Sequence, residues 1–230
     1  MAEIKDYKDL LRKPKDEELE LRIGKASDKN IDKTGVFYHV ITKSAGGDIF
    51  LAKGAGEYRH NMLCNLCEER GITLLFSVTM PNHTHDVFLT SDWKTLSEVL
   101  RILNTNISKY IRKNAKAKFD KKTRILRRNP IYIVIRDIVY LFTMGKYAFD
   151  NPAYLREEGK YVPYDCFWTF KTGHMLTGYD EKIYPRLFGL TPGEIYEVYS
   201  KKTMKEVVEY AKKRFSDWTP DMTQRFFYRR

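Results

Sequence analysis

The chain has 230 residues, 43% of them apolar, enough for one packed domain of about 150 residues plus an appendage, or for two small domains. Its 41 Lys and Arg outnumber 30 Asp and Glu for a net charge of +11, and the excess is local: residues 109–128 hold ten basic side chains against one acidic, Asp120. No run of about 18 apolar residues and no secretory pattern is present, which excludes a membrane-spanning reading and leads us to expect a cytoplasmic protein.

Residues 1–33 are highly charged without clear periodicity and read as a mobile or peripheral arm. Gly35 to Thr42 is aromatic and β-branched, and a Ser-Ala-Gly-Gly turn leads to Asp48-Ile49-Phe50-Leu51, so two strands are expected. An amphipathic helix follows over about 55–70, with Tyr58, Met62, Leu63 and Leu66 at helical spacing and Gly71 as its C-terminal cap. Cys64 and Cys67 are i, i+3 neighbours on it. With only three cysteines in the chain and no second pair, neither a disulfide framework nor a zinc site is expected.

Thr73 to Met80 alternates, with Leu74, Phe76, Val78 and Met80 on one side and Thr73, Ser77 and Thr79 on the other, the pattern of a strand half covered by helices. A Pro81-Asn82 turn then enters the run His83-Thr84-His85-Asp86-Val87-Phe88-Leu89. Side chains two apart on a strand share a face, so His83 and His85 can present two imidazoles to one divalent cation. The competing reading is that both simply pack and hydrogen-bond.

Thr95 to about Lys118 reads as a helix with Leu96, Leu100, Leu103, Ile107 and Ile111 inward. Its basic residues gather toward the end, where they suit the helix dipole as well as a polyanion. Ile131 to Ile135 is a short strand, and Asp137 can cap a helix to about Asn151, ended by Pro152. On that helix Ile138, Leu141, Phe142 and Ala148 form a core stripe, while Tyr140, Met144, Tyr147 and Asn151 line a second face. Further on, Thr191-Pro192-Gly193-Glu194 starts a helix and about 203–215 reads as another, before a basic tail at Arg225 to Arg230. The order of elements predicts a layered α+β domain over 34–155 with helices against a mainly antiparallel sheet, followed by a helical extension over 156–230.

Four of these stretches, Phe37-Tyr38-His39-Val40 with Lys43, Ile49-Phe50-Leu51, Met80 to His85, and Tyr147-Ala148-Phe149-Asp150-Asn151-Pro152, occur in an order and spacing that resembles the REP-associated tyrosine transposases, of the single-tyrosine HUH transposase superfamily. The resemblance covers about residues 34–155. It implies a ferredoxin-like sheet with the His-x-His on a central strand, His83, His85 and Asn151 as ligands of Mg2+ or Mn2+, and Tyr147 as the nucleophile. The implied activity is metal-dependent nicking and joining of single-stranded DNA next to hairpin repeats, through a 5′-phosphotyrosine. It implies a monomer or homodimer with single-stranded or hairpin DNA as partner and no membrane.

Lys43, Lys109, Tyr110, Arg112, Lys113, Lys116, Lys118, Lys121, Lys122, Arg124, Arg127 and Arg128 are then candidates for gripping that DNA, and Tyr110, Phe119 and Tyr132 for stacking on its bases. His39 matches a strand motif beside the site, and is equally well read as a core histidine outside the metal shell. Thr84 and Asp86 depart from the family's apolar residues, which suggests that their face of the strand is less buried than usual. The alternative function is a transposase-derived protein that binds hairpin nucleic acid without turnover. Tyr140 is the next candidate nucleophile if Tyr147 is not used.

Overall fold

The computed structural model describes residues 23–24, 37–52, 54–90, 92–114, 123–135, 137–151 and 182–217. The expected α+β architecture is present. Four strands, β2 (Phe37–Lys43), β3 (Thr73–Thr79), β4 (His83–Leu89) and β5 (Ile131–Ile135), form an antiparallel sheet, with a two-residue β1 (Ile23–Gly24) paired to β5 at its edge. The spatial order is β1-β5-β2-β4-β3. Helix α1 (Ala55–Glu69) connects β2 to β3, and α2 (Trp93–Asn114) lies between β4 and β5, the connectivity of a ferredoxin-like fold with the His-x-His strand in the interior of the sheet. β1 falls within the segment read as an arm from its charge, because two residues are too few for alternation to register.

The sheet is buried on both faces. In β4, odd-numbered side chains point one way and even-numbered ones the other. Asp86 meets Arg59 of α1, while His85 meets Tyr147 of α3 (Ile138–Asp150), so α1 and α2 cover one face and α3 the opposite one. Tyr38 and Tyr132 lie on the first face against Trp93 of α2. Helices α4 (Ile183–Phe188), α5 (Pro192–Lys201) and α6 (Met204–Arg214) follow, with α6 packed on α3. Both α5 and α6 open with capping boxes, Thr191 with Glu194 and Thr203 with Glu206. Tyr199 of α5 donates its hydroxyl to the Phe142 carbonyl at 2.6 Å, and the buried Lys146 ammonium reaches the Tyr199 carbonyl at 2.8 Å. These contacts cover the Phe142 side of α3 while its Tyr147 side meets the sheet, so both stripes are buried where the sequence pattern suggested one core stripe.

Four local expectations change. Ile49–Leu51 is a turn of 3-10 helix rather than a strand, closed by Ala52 N–H donating to the Ile49 carbonyl at 3.2 Å. The buried side of α1 is Arg59, His60, Leu63, Cys64 and Cys67, whereas Tyr58, Met62 and Leu66 are only partly covered. A register shift between Leu74 and Phe76 breaks the alternation of β3, and its polar side is not solvated. Ser77 and Thr79 join Thr84 and Asp86 around the Arg59 guanidinium, which donates to Thr79 at 3.4 Å, to Thr84 at 3.1 Å and to the Asp86 carboxylate. Thr84 and Asp86 are each fully buried, so the face suspected of exposure is closed by this polar network.

Candidate active site

The site forms where β2 ends and β4 begins. Pro81 and Asn82 make a turn closed by Met80 N–H donating to the His83 carbonyl at 2.8 Å, and Ser44 N–H holds the Asn82 carbonyl at 2.8 Å. Lys43 pairs across the strands with His83, and Ile41 with His85. Past Lys43 the chain bridges to the segment before β5: Arg127 N–H donates to the Lys43 carbonyl at 2.8 Å and Ala45 N–H to the Ile125 carbonyl at 2.9 Å. Gly47, at φ +66°, turns the loop back, with the Ser44 hydroxyl donating to its carbonyl at 2.9 Å. α3 completes the site. The Asp137 carboxylate caps it by accepting from Val139 N–H at 2.8 Å, and three turns later Tyr147 reaches the sheet.

These elements enclose a cleft of about 500 Å³ lined by Ile41, Lys43, Asn82, His83, His85, Arg127, Tyr147 and the Ser44–Gly47 loop. The Tyr147 hydroxyl lies 3.3 Å from Nε2 of His85, whose ring meets the Tyr147 ring edge-on at 5.0 Å. The His83 and His85 rings are 4.9 Å apart. Nδ1 of His85 faces Nε2 of His39 at 2.9 Å, and Nδ1 of His83 contacts the Asn82 side-chain oxygen at 2.6 Å. His83 thus spends Nδ1 on Asn82 and keeps Nε2, the arrangement that orients a ligating histidine, whereas His85 has both nitrogens in contact, Nδ1 with His39 and Nε2 with Tyr147. Burial, then the His39, His83 and Lys43 charges, hold the His85 pKa well below the ordinary 6.5; burial and Lys43 lower that of His83. Both rings are neutral at pH 7, the form able to bind a cation.

Five sequence candidates thus meet in the cleft: Lys43, His83, His85, Arg127 and Tyr147. Asn151 is not among its lining residues. It follows α3 with its N–H bonded to the Tyr147 carbonyl at 2.9 Å, and it keeps helical dihedrals (φ −52°, ψ −42°) although proline comes next. Its Nδ2 is buried with no hydrogen-bond partner. Lys109, Arg112 and Lys113 lie at the end of α2 on the opposite face of the sheet, and Arg124 and Arg128 are exposed beside the bridge to β2. Lys116, Lys118, Lys121, Lys122 and Phe119 lie outside the described residues.

The aromatic candidates for base stacking fare differently. Tyr132 is 2% exposed beneath Trp93 and cannot meet a base; its side chain falls on the helix-covered face of β5. Tyr110 stacks on Tyr58 at 4.2 Å, between α1 and α2. Tyr140, the reserve nucleophile, has its hydroxyl buried without a partner and outside the cleft, and burial together with Tyr147 raises its pKa. Sequence reasoning missed the role of His39, whose only signal was sharing the odd-numbered face of β2 with Lys43. It also missed the Arg59–Asp86 pair, which nothing local announces.

Among the described residues no group of three His, Cys, Asp or Glu side chains gathers as a metal site, and no helix is long and apolar enough to cross a membrane. Cys64 and Cys67 are buried free thiols, Cys64 contacting Nε2 of His60 at 3.3 Å.

No protein-family model and no curated protein matches the sequence. Among solved structures, one described as a REP-associated tyrosine transposase bound to a REP hairpin aligns with a TM-score of 0.47 at 12% identity, covering 64% of this chain and 86% of that one. The strand order and connectivity, rather than that alignment, define the fold of this chain.

Proposed function

We propose that this protein cuts and rejoins single-stranded DNA with Tyr147 as the nucleophile. The observation that carries the proposal is the Tyr147 hydroxyl, 3.3 Å from Nε2 of His85, at a cleft with Lys43 and Arg127 in its lining. A phenol beside neutral imidazoles, in a cleft bearing two cations, suits attack on a phosphodiester, and the tyrosine and His-x-His motifs of the sequence support the same chemistry.

Lys43 and Arg127 would engage the phosphate oxygens and draw the strand across the cleft. Tyr147 Oη then forms a bond to phosphorus as the bond to the 3′-oxygen breaks, leaving a 5′-phosphotyrosine and a 3′-hydroxyl. The phenol loses a proton and the departing 3′-oxygen gains one. A 3′-hydroxyl attacking the phosphotyrosine reverses the step, so joining needs no nucleotide cofactor. His83 and His85 would hold Mg2+ or Mn2+ through Nε2, while Asn151, which the sequence motif implies as a third ligand through its side-chain oxygen, stands outside the residues that line the cleft. Such a cation would supply Lewis-acid stabilisation of the charge that develops on the phosphate.

The test uses hairpin-bearing single-stranded oligonucleotides from repeats beside the protein's own coding sequence, with Mg2+ or Mn2+, on a denaturing gel. An SDS-resistant adduct in the parent protein and none in Tyr147→Phe is expected, with hairpin affinity equal in both. Cleavage by the Tyr147→Phe protein would overturn the nucleophile. Tight hairpin binding with no adduct under either metal would leave the binding-only alternative.

A further inference from the structure

His39 sits fully buried in β2, with Nε2 2.9 Å from Nδ1 of His85 and the two rings stacked at 5.1 Å and 29°. Its other nitrogen, Nδ1, is buried with no hydrogen-bond partner. An imidazole of ordinary pKa is neutral above pH 7, so each ring carries one proton, and the 2.9 Å contact places one of those two protons between them.

Two arrangements are available. If His85 donates from Nδ1, His39 must carry its own proton on Nδ1, a buried N–H aimed at nothing. If His39 donates from Nε2, its Nδ1 is only an unused acceptor, and His85 carries its proton on Nε2, pointing at the Tyr147 oxygen 3.3 Å away. An orphaned buried donor is rarer in proteins than an under-used acceptor, so the second arrangement is favoured.

We propose that His39 is a positioning residue that holds His85 in the Nε2–H tautomer when the cleft is empty of ligand, so that His85 donates to Tyr147. The nitrogen assigned above to a cation is then capped by a proton in the resting protein. A cation held at Nε2 of His85 would require that ring's proton on Nδ1, facing Nε2 of His39, and His39 would then carry its own proton on Nδ1. His39 thereby links the state of the cation site to the hydrogen bond received by the nucleophile. This consequence rests on the proposed function; the tautomer itself does not.

The test is long-range 1H–15N correlation of the imidazoles in the full-length, 15N-histidine-labelled protein at pH 7.5, with chelator and no DNA. Each ring is assigned by loss of its signals in single variants. His85 is expected as the Nε2–H tautomer with a fixed pattern. His39→Phe should release it to a mixture or to Nδ1–H, and His39→Gln, which keeps a side-chain N–H donor, should restore Nε2–H. A His85 proton on Nδ1 in the parent protein overturns the proposal, as does a pattern unchanged in His39→Phe. If His39→Phe does not fold, the parent spectrum and His39→Gln decide. With neither metal nor DNA in the sample, the result stands apart from whether the protein cleaves DNA.

Discussion

Arg59 of α1 and Asp86 of β4 form an ion pair whose side chains are 2% and 0% exposed, on the face of the sheet directly behind His85. Ser77 donates to the second Asp86 oxygen at 2.8 Å and Thr84 to the first at 3.2 Å, so the carboxylate is fully engaged. Removing one partner strands a buried charge. Asp86→Ala and Arg59→Ala are each expected to cost about 3–5 kcal/mol in urea unfolding, while Arg59→Met combined with Asp86→Leu costs markedly less than either. Equal losses in the double and single variants would show that shape, not charge, governs this layer.

Lys43 and Arg127 come from segments more than 80 residues apart and are joined by a backbone hydrogen bond of 2.8 Å. If both meet phosphates, alanine at either position weakens single-stranded DNA binding on the order of five-fold at 0.15 M salt, irrespective of sequence. It also reduces the slope of log affinity against log salt by about 0.7. Arg70, exposed at the far end of α1 near Glu98, serves as the control and should change neither quantity. Fluorescence anisotropy across a salt series reads both.

Gly145 lies in α3 two residues before Tyr147, with α5 on one side and β3 on the other. A methyl group there would fall 2.7 and 2.8 Å from ring atoms of Phe76 and against the Tyr199 hydroxyl. Helix propensity favours alanine by about 1 kcal/mol, and overpacking disfavours it by about 1–3 kcal/mol, so Gly145→Ala is expected to be net destabilising. Thermal unfolding checks the sign. Because the displaced helix carries Tyr147, the rate of adduct formation should fall as well, and Gly145→Ala with Tyr199→Phe should recover part of both.

Burial, helped by the Arg59 charge, pushes the His60 imidazole down from 6.5 to about 4. Between those values the unfolded chain binds a proton that the folded chain does not, so stability is full above pH 6.5 and falls as pH drops toward 4. The loss for this one group is about 3 kcal/mol. His39, lowered by burial to about 3, adds loss in the same direction. Chemical denaturation from pH 4 to 7 should show a shallower profile for His60→Leu than for the parent chain; parallel profiles would remove His60 from the account.

Much of the scaffold was legible because it depends on neighbours in sequence. Alternation placed β4, a short apolar run placed β5, and helical spacing placed the Leu96, Leu100, Leu103, Ile107 and Ile111 stripe of α2, all five of which are buried. Asp137, Thr191 and Thr203 announced helix starts that do carry capping bonds. Ile49–Leu51 was misread because three apolar residues after a turn satisfy strand and 3-10 patterns alike; the structure closes the turn with Ala52 N–H on the Ile49 carbonyl at 3.2 Å and anchors it with Phe50 N–H on the Pro81 carbonyl at 3.0 Å.

By itself the sequence determined that His83 and His85 share one face of a strand and that Tyr147 and Asn151 sit one turn apart on a helix, since both follow from local backbone periods. Tertiary structure alone decided that His39 would bond His85, that Arg127 would line the cleft beside Lys43, and that Asp86 would be paired rather than solvated. Each of these depends on strand pairing or helix docking across tens of residues, where register sets which side chains meet and no local pattern records the partner.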